Sequence, residues 1–463
     1  MADNERSGGL GPIKTAKHPK AKGPPDCSGI ETDDIEMPKL LIKNGRLICP
    51  DQGLDRVTSL LVEDKRIIAY DIDHADGAEV IDAGGKIVAP GLIDLHTQLR
   101  EPGLEEDETI ESGTAAALAG GYTTIACLPE TDPPIDTDSS VEFVRQKAVR
   151  AGNCNVYVIG CVSKNREGKE LAELGSLAEA GAVAFSDGLN SIQSSELLRR
   201  ALEYSLMFDK PILHHPESIE LSRGGVMHEG KVSLVLGLAG MPPEAEDVMT
   251  SRDIRLTEAT GGRLHLLNIS SSVSVELVRR TKLRGVKLTA GVCAINFTLT
   301  DEKLRSFDSH YKLNPPLRSR DHVEACIAGL KHGTLDCISS GHAPRASEKK
   351  MQELDLAPFG MSSLETTLPL VITQLIEPGH LDWSTALSKL TINPAKVLGL
   401  TKGSKGTLRI GADADITIID PTTRWTIDPT QFKSKSSNTP LAGMEVIGRA
   451  THTIVCGEVK YAA

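Results

Sequence analysis

Long apolar runs, paired cysteines, an excess of positive charge and internal repeats are all missing from this 463-residue chain. The apolar stretches stop well short of the roughly 20 residues that a helix needs to cross a bilayer, so no membrane span is expected. Met1 to Met37 lacks the positive, then apolar, then small-residue order of a secretory signal. The nine cysteines, Cys127, Cys154, Cys161 and Cys293 among them, form no CxxC pair. A cytoplasmic location with reduced thiols is therefore the expectation. A formal charge of -12 argues against a general nucleic-acid binder, and the local run Lys14, Lys17, Lys20, Lys22 reads as a solvated tail. No repeat period points to a solenoid or propeller.

What is present is enough chain for one large barrel with an accessory module: 463 residues, 49.5 kDa, 40% apolar and 25% charged. Residues 1–37, rich in Gly, Pro, Lys and Asp, read as a disordered tail. From 38 to 90, short β-type runs such as Leu60-Leu61-Val62 and Ile67-Ile68-Ala69 alternate with turn signals at Asn44-Gly45 and Gly84-Gly85. From 91 to 400 the rhythm changes to apolar runs followed by helical patterns. These runs are Leu92, Thr124 to Cys127, Val156 to Ile159, Ala182 to Phe185, Pro211 to Leu213, Leu264 to Leu267, Val286 to Leu288, and Cys337-Ile338. Eight such units predict an α/β fold of the (β/α)8 TIM-barrel class, with chemistry at the C-terminal ends of the strands. From 401 to 463 the pattern returns to β, so the two β stretches are expected to join as one satellite sheet domain formed from both ends of the chain.

The chemistry-bearing residues start at the first barrel strand, Gly91-Leu92-Ile93-Asp94-Leu95-His96-Thr97-Gln98-Leu99-Arg100-Glu101-Pro102-Gly103. Strand alternation predicts Asp94, His96 and Gln98 on one face, toward the barrel mouth. Asp94-x-His96 with Leu99 to Gly103 is followed in order by Gly120-Gly121-Tyr122-Thr123-Thr124 and Phe185-Ser186-Asp187. Then come Gly224-Gly225-Val226-Met227, Asn314-Pro315-Pro316-Leu317-Arg318 and Ala357-Pro358-Phe359-Gly360. On these segments the chain, over about residues 38 to 463, resembles the dihydroorotase family of the amidohydrolase superfamily, in its bacterial and fused multifunctional form.

The resemblance implies two zinc ions bridged by a hydroxide and held by imidazoles and carboxylates. Three metal positions survive: His96, Asp187 as the bridging carboxylate, and His215. The second histidine of the first strand is replaced by Gln98, and the histidine of the Leu264 to Ser270 segment by Asn268; neutral amides are poor zinc ligands. The family's Asp-His-Ala-Pro-His, whose aspartate binds metal and shuttles the proton, is here Gly341-His342-Ala343-Pro344-Arg345. No catalytic residue remains at that position, and at most one zinc ion is expected. Substrate-binding positions implied by the resemblance are Arg100, Asn314, Phe359 and Gly360. Glu130 replaces an asparagine, so a carboxylate faces the substrate carboxylate unless it pairs with Arg100.

Each of these residues also has a structural reading. His96 could hydrogen-bond Asp94, His214 and His215 could be ordinary polar residues, and His265 could be packed in its strand. Asp187 could cap the helix after its strand, and Arg100 and Asn314 could hold loops together. With Gln98, Asn268 and Gly341 in place of the family's ligands, the chain most resembles the noncatalytic dihydroorotase-like members that assemble with aspartate transcarbamoylase. That resemblance implies a catalytically inactive protein of pyrimidine biosynthesis that serves the aspartate transcarbamoylase catalytic chain as a structural subunit in a homo- or hetero-oligomer. Two rivals stand beside it. One is an active cyclic-amide hydrolase on a reduced zinc site, with Asp94 or Glu130 handling the proton. The other is a protein that binds a pyrimidine intermediate without converting it.

Overall fold

The β-type runs at the two ends of the sequence pair with each other. In the computed structural model, which describes residues 39–463, strand Ile87–Pro90 runs antiparallel to Ile416–Thr426, with Ile416 opposite Pro90 and Ile419 opposite Ile87. The tail expected over 1–37 lies outside the described residues. From that junction the sheet extends through Leu40–Cys49, Leu54–Glu63 and Arg66–Tyr70 on one side, and through Glu445–Val455 and Glu458–Ala462 on the other. Alternation along the strands sends Ile42, Leu47, Val88, Ile416 and Ile454 into one apolar core. Asp415 ties this sheet to the barrel: its carboxylate accepts from Asn155 Nδ2 at 3.0 Å and from the buried Lys405 ammonium at 2.6 Å. Burial works against the charged lysine, but Asp415 and Asp413 outweigh it and raise its pKa.

Eight parallel strands follow: Leu92–Thr97, Tyr122–Cys127, Asn155–Gly160, Ala184–Phe185, Ile212–His214, Leu264–Leu266, Leu288–Cys293 and Cys337–Ser339, the seventh beginning only at the last residue of its expected run. Ile93, Ala126, Tyr157, Ile159, Leu213 and Leu267 share one apolar cluster with Ala395, Val397 and Leu398 of helix Ile392–Leu398. That filling makes the barrel a packed core rather than a pore. Threonine caps start the first two outer helices, Ile110–Ala119 and Asp138–Ala151, with a reciprocal serine three residues on in each. Cys49, Cys127, Cys154, Cys161, Cys293, Cys326 and Cys337 are free and buried. Among the described residues no helix is long and apolar enough to cross a membrane.

The ring closes where its last strand returns to its first. Thr97 and His342 form a parallel bridge, the Gln98 amide donates to His342 O at 2.9 Å, and the His342 amide donates to His96 O at 3.2 Å. Asp94 clasps this seam. Fully buried, its carboxylate accepts from the Ser340 amide and hydroxyl, both at 2.7 Å, and from Thr97 Oγ1 at 2.5 Å. Hydrogen bonds to a charged group contribute about 1.5–3 kcal/mol each, so Asp94→Ala, which strands the Ser340 amide, is expected to cost about 3 kcal/mol or more. A urea unfolding midpoint that falls accordingly checks this; an unchanged midpoint would show that closure does not rest on Asp94.

Candidate functional site

Asp94, His96 and Gln98 were expected on one face, but the ladder with Tyr122–Cys127 slips between Asp94 and Thr97, and the three side chains part. Asp94 turns to Ser340. His96 Nδ1 lies 2.9 Å from Asn268 Oδ1, so its partner is Asn268 and not Asp94. Gln98 is buried, and neither of its amide atoms has a hydrogen-bond partner. Burial holds the His96 imidazole below its ordinary pKa, against the pull of the Asn268 bond and of Glu130, so the ring is neutral at physiological pH.

Asn268 follows strand Leu264–Leu266 in the left-handed region, φ 56°, and its Oδ1 is shared. It accepts from the Cys293 thiol at 3.0 Å as well as meeting His96. Burial pushes that thiol up to about 12, which keeps the S–H proton available to donate. Cys293 ends strand Leu288–Cys293 beside Gly341, whose φ is 67°. A Cβ at position 341 would sit 2.7 Å from Cys293 Sγ. The sulfur thus fills the space in which an acidic side chain at 341 would begin.

The remaining candidate ligands are held by other partners. Asp187 Oδ1 accepts from the Val162 and Ser163 amides at 2.9 and 3.0 Å, and Oδ2 accepts from the Ser163 hydroxyl. It braces the loop after strand Asn155–Gly160 rather than capping a following helix. Burial raises its pKa, and these hydrogen bonds only partly offset the rise. His215 Nε2 pairs with Glu217 Oε2 at 3.1 Å, leaving Nδ1 without a partner. Burial opposes the Glu217 charge, but the His215 contact overcomes it and holds the carboxyl down to about 2. His214 is structural, set between Asp253 at 2.6 Å and the Ile192 amide at 2.9 Å, and His265 is packed against Thr289 in the barrel interior.

At the substrate-reading positions, Arg100 donates Nε to Pro344 O at 3.3 Å and leaves Nη2 unpaired. No carboxylate pairs with it among the described residues, so the alternative pairing with Glu130 is not formed. Burial, with repulsion from Arg345, lowers its pKa to about 10, still charged near neutrality. Glu130 pairs instead with Arg166, at 2.7 Å, and accepts from the Leu189 amide at 3.0 Å. Burial would neutralise Glu130, but Arg166 and then Arg100 outweigh it and keep its pKa low. Arg345, at the last position of the strand-eight segment, is tied to Phe359 O at 3.1 Å and Asp107 at 3.3 Å.

Asn314, Phe359 and Gly360 do come together with His96, Gly341 and Cys293 around one cavity, but Asn314 is already donating to Glu217 at 2.8 Å. The space inside is about 20 Å³. That admits roughly one water, against the ~300–1,000 Å³ of ordinary ligand sites. The segment from Ala346 to Leu356 is tied down at three points: Ala346 N donates to Asp107 at 2.8 Å, Lys312 Nζ to Asp355 O at 2.9 Å, and Lys350 Nζ to Pro358 O at 3.0 Å.

A zinc pair does not fit this donor set. His96 Nε2 and His215 Nδ1 are imidazole nitrogens without partners, but around them stand two amides and a glycine. Among the described residues no three His, Cys, Asp or Glu side chains gather closely enough to hold an ion. The trio His96, Asp187 and His215 is therefore not assembled, because Asp187 is drawn into the Val162–Ser163 loop.

A family model described as dihydro-orotase-like matches residues 85–274, and one described as amidohydrolase family matches residues 361–461. A dihydroorotase of Acetivibrio thermocellus is 47% identical over 422 residues, covering 91% of this chain and 98% of that protein. One of Pelotomaculum thermopropionicum is 48% identical over 422 residues, covering 91% and 98%. This chain belongs to the dihydroorotase family. Among solved structures, the L-hydantoinase of Arthrobacter aurescens aligns with a TM-score of 0.82 at 26% identity, covering 92% of this chain and 96% of that one. A D-hydantoinase from Thermus sp. aligns at 0.77 and 26%, covering 91% and 95%.

Within this dihydroorotase-family barrel, sequence reasoning missed Cys293, Glu217 and Arg166. Cys293 alone carried a signal, a thiol at a strand's C-terminal end. Two outcomes follow. Gly341→Asp should destabilise by about 2–4 kcal/mol through crowding and the positive φ, and Cys293→Ala should recover at least half of it; additive losses in the double variant would show the two sites are independent. Burial, with repulsion from Arg345 and Lys312, lowers the Lys350 pKa to about 7. The folded state then binds fewer protons than the unfolded one between about pH 7 and 10, so stability should rise with pH across that window. Lys350→Met should flatten the rise; an unaltered slope would assign it to other groups.

Proposed function

We propose that this dihydroorotase-family chain does not hydrolyse cyclic amides and serves pyrimidine biosynthesis as a structural subunit. One observation carries the reading: at the position of the family's metal-binding and proton-shuttling aspartate stands Gly341, and Cys293 Sγ occupies the space its side chain would need. A positioned general acid/base is worth about 10²–10⁴ in rate, and no carboxylate replaces it. Asp94, one candidate substitute, spends both oxygens on Ser340 and Thr97. Glu130 is committed to Arg166 through one oxygen.

The partner follows from the resemblance to noncatalytic dihydroorotase-like chains: the aspartate transcarbamoylase catalytic chain, in a shared oligomer. The barrel is closed at the Asp94 seam and packed within, as a scaffold requires. A second reading, an active dihydroorotase on a reduced zinc site, is favoured by the names of relatives at 47–48% identity. Ring opening of dihydroorotate and ring closure of carbamoyl aspartate, assayed with added zinc beside an active dihydroorotase, separate the two. The structural reading expects no turnover and co-purification with a transcarbamoylase chain; turnover at an enzyme-like rate would overturn it.

A further inference from the structure

A cleft of about 440 Å³, against about 20 Å³ at the mouth, opens at the opposite, N-terminal face of the barrel. Its walls are the starts of three barrel strands, at Leu264, Leu288 and Asp336, together with one side of helix Ile392–Leu398. The volume lies within the ~300–1,000 Å³ typical of small-molecule sites.

Three cationic side chains line it: Arg263, Lys287 and Lys396. Arg263 is fixed, donating to Asp209 O at 2.7 Å, Asp209 Oδ1 at 3.1 Å, Val397 O at 3.0 Å and Lys396 O at 3.3 Å. It thereby braces the strand starts against the helix. Lys287 and Lys396 are exposed, and neither ammonium has an acid partner among the described residues. Asp336 is the one acid on the wall, and it is already taken: Lys282 Nζ lies 2.7 Å from both of its oxygens, and the Ala290 amide donates at 2.8 Å. The cleft is therefore a cationic site on a chain of net charge -12. Its floor is apolar, with Leu264, Leu288 and Val397 buried and Val286 half-buried.

We propose that this cleft binds a small phosphorylated molecule, with the phosphate between Lys287 and Lys396 and an apolar or ring part against Val286 and Val397. Two uncompensated ammonium groups match a dianion, whereas a single carboxylate would leave one of them unanswered. Nothing in this site depends on the chemistry of the mouth.

Titration calorimetry of the full chain at constant ionic strength tests it, using inorganic pyrophosphate, AMP and ribose 5-phosphate as probes. Saturable binding at one site is expected, weakened at least tenfold in Lys287→Ala/Lys396→Ala and unchanged in the charge-matched control Lys303→Ala/Lys433→Ala. Tighter binding of AMP than of ribose 5-phosphate would support the role given to the apolar wall, and equal binding would overturn that role. No saturable binding, retained affinity in the cleft variant, or equal loss in the control would overturn the site itself. Both lysines are exposed, and a melting temperature shared by the variants and the native chain confirms that folding is not what changed.

Discussion

Closure of the barrel between its first and last strands rests on one buried carboxylate. Asp94 accepts from Ser340 twice and from Thr97 once, and the backbone of His96 and Gln98 bonds to His342 one step further along the seam. Gly341 lies inside that seam, between the two bonded residues, so its conformation is set by closure before any chemistry is considered. At that place in the seam Gly341 has a positive φ and lies beside Cys293. An Asp-x-His sequence can thus persist for structural reasons alone: the aspartate is a clasp, and the histidine is the first link of the bonded series that runs to Asn268 and Cys293.

That series replaces charge with neutral hydrogen bonding. His96 is neutral, Cys293 remains a protonated thiol, and Gln98 and Asn268 are amides. Such a centre repels no cation strongly, yet it offers no anionic ligand to hold one, and the carboxylates nearby are engaged elsewhere: Asp187 with loop amides, Glu130 with Arg166, Glu217 with His215 and Asn314. Several side-chain atoms at the mouth stay without hydrogen-bond partners, among them both amide atoms of Gln98 and Nδ2 of Asn268.

Most of the fold was legible in the sequence. Seven of the eight strands were marked by an apolar run, because strands covered by helices on the outside and side chains within are apolar on both faces; the run at Val286 to Leu288 only touches the start of its strand, Leu288–Cys293. The joining of the two ends into one sheet was legible from the return of β-type runs after residue 400. The site was legible as a set of substitutions, at 98, 268 and 341, but not as an arrangement. A one-place slip in the ladder between Asp94 and Thr97 undid the alternation argument, as such slips do when a strand's face is assigned by period alone. The pairing of Glu130 with Arg166 joins residues 36 apart, and that of Asn268 with Cys293 joins residues 25 apart. Neither spacing belongs to a helix or a hairpin, so no local pattern announces them.

The central claim is that the mouth of this barrel has exchanged a metal-binding centre for a hydrogen-bonded one. Elemental analysis of the full chain, purified after expression in zinc-supplemented medium and freed of loosely bound metal by gel filtration, measures it directly. Well under one zinc per chain is predicted. Two zinc ions per chain, lost on His96→Ala, would contradict the account and mean that the residues around Gly341 rearrange to form a ligand set absent from this structure.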